Sequence, residues 1–141
     1  MSTVLPPWAW TIFNDGVPRR ADLDEVNARV NDRIEPCEAD ASRPWQIIEP
    51  NAFDRTGCCH DYAVTKRAEL LARGWPASRL LLCEVAYDAK DDHMILLAVV
   101  DDGALLALDN LRPDIAPWEK TGYRLKWRQT AGDPNVWEDE A

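Results

Sequence analysis

The chain has 141 residues and a mass of 16.0 kDa, the size of a single domain. Hydrophobic residues make up 46% and charged residues 29%, which is enough apolar material for a core and excludes a disordered chain. A net charge of −9 repels phosphate backbones and argues against a nucleic-acid partner. The longest apolar run, residues 94–100, falls far short of the ~20 residues a membrane helix needs, so no membrane span is expected.

Residues 1–20 are rich in Pro and Trp and carry a turn signal at Asn14-Asp15-Gly16. They read as an irregular arm with a short strand near 10–13. No Lys or Arg precedes Arg19, and Pro6-Pro7 falls where a leader's apolar stretch would sit. The expected location is therefore cytoplasmic, or periplasmic if a leader has been removed. Residues 21–137 read as one domain, and 138–141 as an acidic tail.

The first helix is expected over 22–34, where Leu23, Val26, Val30 and Ile34 recur at helical spacing and Pro36 stops the run. A long connection, 36–57, follows, and connections of that length in compact domains often carry function. The second helix is expected over 59–73. Val64, Ala68 and Leu71 would mark its apolar face and Lys66, Glu69 and Arg73 its wet one, with Gly74 as the left-handed stop. Strands are expected over 79–87, 94–100, 104–108 and 122–128. Helices followed by a strand meander give an α+β domain, an antiparallel sheet with helices packed on it.

The four cysteines are Cys37, Cys58, Cys59 and Cys83. A chain with a full core has little need of disulfide staples. The spacing is not that of a zinc site, a bridge between adjacent Cys58 and Cys59 would be strained, and Cys37 and Cys83 read as ordinary. Cys59 differs, because it opens the second helix. Free amide N–H groups and the helix dipole favour a negative charge there, and a thiol that ionises easily is a nucleophile.

A thiolate nucleophile needs a base and a group that orients the base. His60, adjacent to Cys59, is expected to point about 100° away around the helix. His93, at the polar start of a strand, is the better base. Asp109 closes the next strand, and the turn at Asp101-Asp102-Gly103 decides whether the two meet. A three-residue loop with Gly third pairs Val100 with Ala104 and makes His93 and Asp109 diagonal neighbours on one face, ~7–8 Å apart at the backbone. A two-residue loop would send Asp109 to the opposite face. Gly103 favours the first register.

The segment Gly57-Cys58-Cys59-His60-Asp61-Tyr62-Ala63, with Lys66 and then Leu70 to Gly74, resembles the nucleophile helix of bacterial transglutaminase-like cysteine peptidases. His93-Met94-Ile95-Leu96 and Leu108-Asp109-Asn110-Leu111 resemble that family's histidine and aspartate motifs, in the same order. Val26-Asn27, Val30-Asn31, Trp45, Gly122-Tyr123 and Trp137 also fit its pattern. The resemblance implies a papain-like, transglutaminase-like fold. It implies a hydrolase of amide or peptide bonds in a protein or peptide substrate, with Cys59 as nucleophile, His93 as acid and base and Asp109 as orienter. Members that release adhesins depend on calcium. Here Cys58 and His60 stand where the family usually has acidic residues, and the expectation is no cofactor and no metal. Two alternatives remain: acyl transfer to an amine, and a non-catalytic protein-binding module that kept the fold.

Overall fold

A computed structural model describes residues 19–37, 44–86, 92–100, 103–130 and 133–139. The expected arm, apart from Arg19 and Arg20, and its short strand lie outside the described residues. Helix α1 runs Arg20–Arg33. Leu23, Val26, Val30 and Ile34, the positions singled out by spacing, are all buried. Fully burying each such side chain contributes about 1.5–3 kcal/mol. The helix closes with the Ile34 N–H donating to the Val30 carbonyl (3.1 Å).

The chain then makes a two-residue strand, β1 (Glu35–Pro36), which pairs in parallel with β2 (Thr56–Gly57) at the far end of the long connection. Helix α2 (Cys59–Ala72) starts directly after β2. Its buried face is not the expected one. Val64 and Ala68 are only half-buried and Leu71 is exposed, whereas Tyr62, Ala63, Lys66 and Leu70 face inward. Lys66, expected on the wet face, is 0% exposed. Its four-carbon stem packs like an apolar side chain, so helical periodicity alone could not assign the face.

A six-stranded antiparallel sheet follows: β3 (Leu80–Ala86), β4 (Asp92–Val99), β5 (Leu105–Leu108), β6 (Ala116–Pro117), β7 (Arg124–Thr130) and β8 (Asp133–Asp139). The spatial order is β6-β5-β4-β3-β7-β8. The four strands expected over 79–87, 94–100, 104–108 and 122–128 are present. β6 and β8 were not foreseen, and β8 continues into the stretch read as a tail. The two helices pack on one face of the sheet, where Leu80, Leu82, Met94, Leu96 and Leu108 join Leu23, Val26, Val30 and Leu70. Leu81, Cys83, Val85, Ile95 and Leu97 form a second cluster on the other face. That two-sided burial explains why β4 is apolar at almost every position.

The β4–β5 register decides the site. Leu96 pairs with Leu108 and Val99 with Leu105. The Val100 N–H donates to Ala104 O (2.9 Å) and the Gly103 N–H to Val100 O (2.8 Å), with Gly103 at φ +85°. This is the register expected from the Gly103 turn. A left-handed residue at that position is cheap only for glycine.

Candidate active site

Cys59 opens α2, and Cys58 before it is fixed twice. Its backbone N–H donates to Asp61 Oδ2 (2.9 Å), and its sulfur is bridged to Cys37, with the two Cα atoms 5.1 Å apart. The bridge corrects the expectation of a chain without disulfides and of an ordinary Cys37. Its origin is local: Pro36 pairs with Gly57, so the next residue on each strand is Cys37 and Cys58. Parallel pairing of two-residue strands leaves no periodic signal to read.

Asp61 is 1% exposed, and its second oxygen, Oδ1, accepts the Gln46 N–H (2.7 Å). Thr65 Oγ1 takes the Ile48 N–H (2.9 Å), and Arg33 pairs with Glu69 and donates to Ile48 O (3.1 Å). These bonds lay the 44–48 stretch along the start of α2. Trp45 thereby stacks on His60 with ring centroids 5.2 Å apart and an interplanar angle of 11°, and its other side meets Trp137 at 6.5 Å. Trp45 remains 45% exposed and Trp137 36%, so an aromatic shelf lies open beside the sulfur.

The structure brings Cys59, His93 and Asp109 together. His93 sits on β4 and is 5% exposed, and Asp109 follows β5 and is 1% exposed. His93 Nε2 lies 2.7 Å from Asp109 Oδ1. The imidazole also hydrogen-bonds with Cys59. His60 is nearer the sulfur than expected, with Nδ1 3.9 Å from Sγ. Its ring is held back over the helix start by the Trp45 stack, so the sulfur is flanked by two imidazoles.

Asp109 has more partners than the sequence suggested. Oδ1 also accepts the Leu111 N–H (2.9 Å) and Oδ2 accepts the Tyr123 hydroxyl (2.5 Å). Arg112 Nε stands 3.8 Å from Oδ2 and its guanidinium lies over the Tyr123 ring, 5.3 Å from the centroid. On α1, Asn31 Nδ2 donates to the Asp109 carbonyl (3.2 Å). Sequence reasoning noted Tyr123 and Asn31 only through resemblance. Only the tertiary fold shows that Tyr123 holds the Asp109 carboxylate while Asn31 holds its backbone carbonyl.

The electrostatics follow from these contacts. Burial raises the pKa of the Cys59 thiol, but hydrogen bonds with His60, His93 and the Met94 backbone more than offset it, bringing it down to about 6. Burial disfavours a charged His93, but Asp109 and Cys59 hold its proton and push it up to about 9. Burial likewise opposes charge on Asp109, yet the bonds from His93, Tyr123 and the Leu111 N–H hold its carboxyl below the usual carboxylate range. Burial and the Asp109 charge push Tyr123 up to about 12, so it stays a donor. The free thiol of Cys83, buried in the sheet, is pushed up to about 12 and is inert. The arrangement can hold a thiolate, an imidazolium and a carboxylate in line near neutral pH.

Comparison with known proteins gives the family. The family described as bacterial transglutaminase-like cysteine proteinase matches residues 13–140. The chain belongs to that family. It is a bacterial cysteine peptidase of the transglutaminase-like type, and its expected substrate class, protein, follows from the family. Among curated proteins no sequence matches it significantly. Its fold is that of Legionella pneumophila LapG. Calcium-bound LapG matches with TM-score 0.70 and 20% identity over 96% of this chain and 80% of that one. EGTA-treated LapG matches with TM-score 0.67 and 21% identity over 95% and 79%.

These neighbours correct the expectation of no cofactor, since a protein of this fold is calcium-bound. Among the described residues, no group of three or more His, Cys, Asp and Glu side chains could hold a metal ion. At the start of α2, Cys58 is consumed by the disulfide and both Asp61 oxygens accept backbone N–H groups. That set does not offer the six to eight oxygens calcium takes. No helix among the described residues is long and apolar enough to cross a membrane.

Proposed function

We propose that the chain hydrolyses peptide bonds through a Cys59-His93-Asp109 triad. The observation that supports this best is the unbroken hydrogen-bonded line from sulfur through imidazole to a carboxylate that itself accepts two further donors, the Leu111 N–H and the Tyr123 hydroxyl, with the Arg112 guanidinium as a longer ion pair at 3.8 Å.

In the resting site the Cys59 proton resides on His93. The thiolate attacks the scissile carbonyl carbon, and the carbonyl electron pair moves to oxygen. The backbone N–H of Cys59, at the helix start, donates to the developing oxyanion. His93 gives its proton to the leaving amine as the C–N bond breaks, leaving a thioester. It then takes a proton from water as the water oxygen attacks the thioester; the carbon–sulfur bond breaks, the acid leaves, and the thiolate and protonated His93 of the resting site are restored. Asp109 keeps the ring oriented and stabilises its charged form. Trp45 and Trp137 supply an exposed surface beside the sulfur for the substrate chain.

Calcium is a candidate ligand through the likeness to calcium-bound LapG. Melting the protein in calcium and in EGTA tests the ion as a ligand: a calcium-dependent rise in Tm keeps it, and superimposable curves remove it. The Cys37–Cys58 bridge supports an oxidising compartment, the periplasmic rather than the cytoplasmic of the two expected locations.

The deciding experiment is alkylation of Cys59 by iodoacetamide as a function of pH, with sequencing of the cleavage products from a peptide library. The expected result is fast labelling near pH 7 that His93→Ala abolishes, with cleavage lost in Cys59→Ala. Labelling no faster than a free thiol's, unchanged by His93→Ala, would leave a binding module that kept the fold.

A further inference from the structure

A buried ammonium group stands behind the triad. Lys66 lies seven residues after Cys59 on α2, two turns along the same helix face. It is 0% exposed, and its Nζ has no hydrogen-bond partner among the described residues. The nearest ring, Tyr62, is 6.0 Å from Nζ at its centroid. An unpaired charge in an interior is costly, and methionine would fill the same space without it, so packing does not account for the residue.

The charges of the site account for it. Thiolate Cys59, imidazolium His93 and carboxylate Asp109 sum to one negative charge in a buried space. Arg112, at 3.8 Å from Asp109, balances it only from the mouth of the site, where 39% of its side chain is exposed and solvent screens it. Lys66 is the cation on the interior side, and the Asp109 charge is what favours its protonated form. We propose that Lys66 is a positioning residue, an interior counter-charge to the net negative charge of the site, which favours the thiolate of Cys59 at the acid end of the working range. The inference rests on the peptidase reading above.

The charge is present over only part of the working range. Burial lowers Lys66 to about 7 against the opposing pull of Asp109, so the ammonium is full in mild acid and withdrawn above neutrality. The titratable groups that act on Lys66 are Tyr62, one turn before it on α2, and Asp109 after β5; the sulfur at the start of the same helix also faces His60 and His93. From α1 the neighbour is Asn31, uncharged, bonded to the Asp109 carbonyl.

The test is the pH profile of Cys59 alkylation by iodoacetamide in the full chain. A thiolate–imidazolium pair gives the wild type two limbs, near 6 and near 9. Lys66→Met removes the charge that is present at the acid limb, so that limb should rise by about half to one pH unit while the basic limb stays. Lys66→Arg keeps a charge throughout and should leave the acid limb but lower the basic one. A Lys66→Met profile with both limbs on those of the wild type overturns the inference, since damage to packing alone changes rates without moving one limb. A wild type with a single limb near an ordinary thiol's, indifferent to His93→Ala, overturns the peptidase reading and this inference with it. Should either variant fail to fold, carbon-13 NMR of Lys66 in the wild type and in Asp109→Asn reads the same pair. A titration midpoint that falls in Asp109→Asn supports the inference, and an unmoved midpoint overturns it.

Discussion

Nε2 of His93 lies 2.7 Å from Oδ1 of Asp109, across a pair of strands whose register is set by a left-handed Gly103. The carboxylate holds one ring nitrogen and leaves the other for sulfur. Asp109→Asn keeps the shape but supplies no charge to hold an imidazolium. Peptide cleavage should fall about 10²–10⁴-fold in kcat/KM. Tyr123→Phe removes one of several donors to the same carboxylate and should cost far less, within about tenfold. Equal losses in both variants would mean that Asp109 works only as part of the loop's scaffolding.

Activity should follow a plateau bounded by two groups. Below about 6 the Cys59 thiolate takes a proton, and above about 9 His93 loses the proton it must deliver. Stability behaves differently. The lowered thiol contributes stability that is lost as pH falls from its ordinary value of 9.0 through about 6. The raised imidazole contributes stability that is lost as pH rises from its ordinary 6.5 through about 9. Between those values the two slopes oppose each other, because folded and unfolded chains hold the same single proton on the pair. Activity measured across pH 5–10 should therefore be bell-shaped while the pair adds almost no slope to the melting curve.

A slope in stability should come from Lys66 instead. Its folded pKa is lowered from 10.5 to about 7, so between those values the unfolded chain binds more protons and stability rises with pH. The full effect is a few kcal/mol, at ~1.4 kcal/mol per pH unit for one proton. Lys66→Met should flatten the rise and melt higher than the wild type at pH 6, because an apolar isostere removes a buried charge. Urea titrations at pH 6 and pH 9 check this. A wild type no more stable at pH 9 than at pH 6 contradicts it.

The meeting of Cys59, His93 and Asp109 was legible in the sequence because each part had a local cause. Helical spacing placed Cys59 at a helix start, and the turn chemistry of Gly103 fixed which face Asp109 shares with His93. What it hid was tertiary. Lys66 has a polar head and was assigned to solvent, yet its charge has an interior partner in Asp109 that only the fold reveals. His60 was turned away on helix geometry, but the stack with Trp45 holds it beside the sulfur, and Trp45 comes from a connection without periodicity. The Cys37–Cys58 bridge depends on strands of two residues, too short to leave a pattern.

That bridge should be a large part of the stability at the start of α2. It closes a loop with a sequence separation of 21, for which the chain-entropy account gives about 3 kcal/mol. Cys37→Ser, or reduction of the wild type, should lower the urea midpoint accordingly and leave Cys58 as a second thiol beside Cys59. Mass spectrometry after alkylation should then find label on Cys58 as well as Cys59. A midpoint unchanged by reductant would mean that the β1–β2 pair and the Asp61 bonds hold the helix start without the sulfur link.

Gly57 tests whether the helix start has any room to move. A Cβ there would stand 2.9 Å from Ile34 Cγ2 and 3.0 Å from Asp61 Cβ. Ile34 is buried in the core, and Asp61 is tied by both oxygens to the Gln46 and Cys58 N–H groups, so neither neighbour yields freely. Gly57→Ala should cost about 1–3 kcal/mol, as overpacking does. It should also displace Asp61, which positions the nucleophile helix against Trp45. Alkylation of Cys59 should therefore slow in the folded variant even at temperatures well below its Tm. A variant that melts lower but labels at the wild-type rate would separate the packing of Gly57 from the geometry of the sulfur.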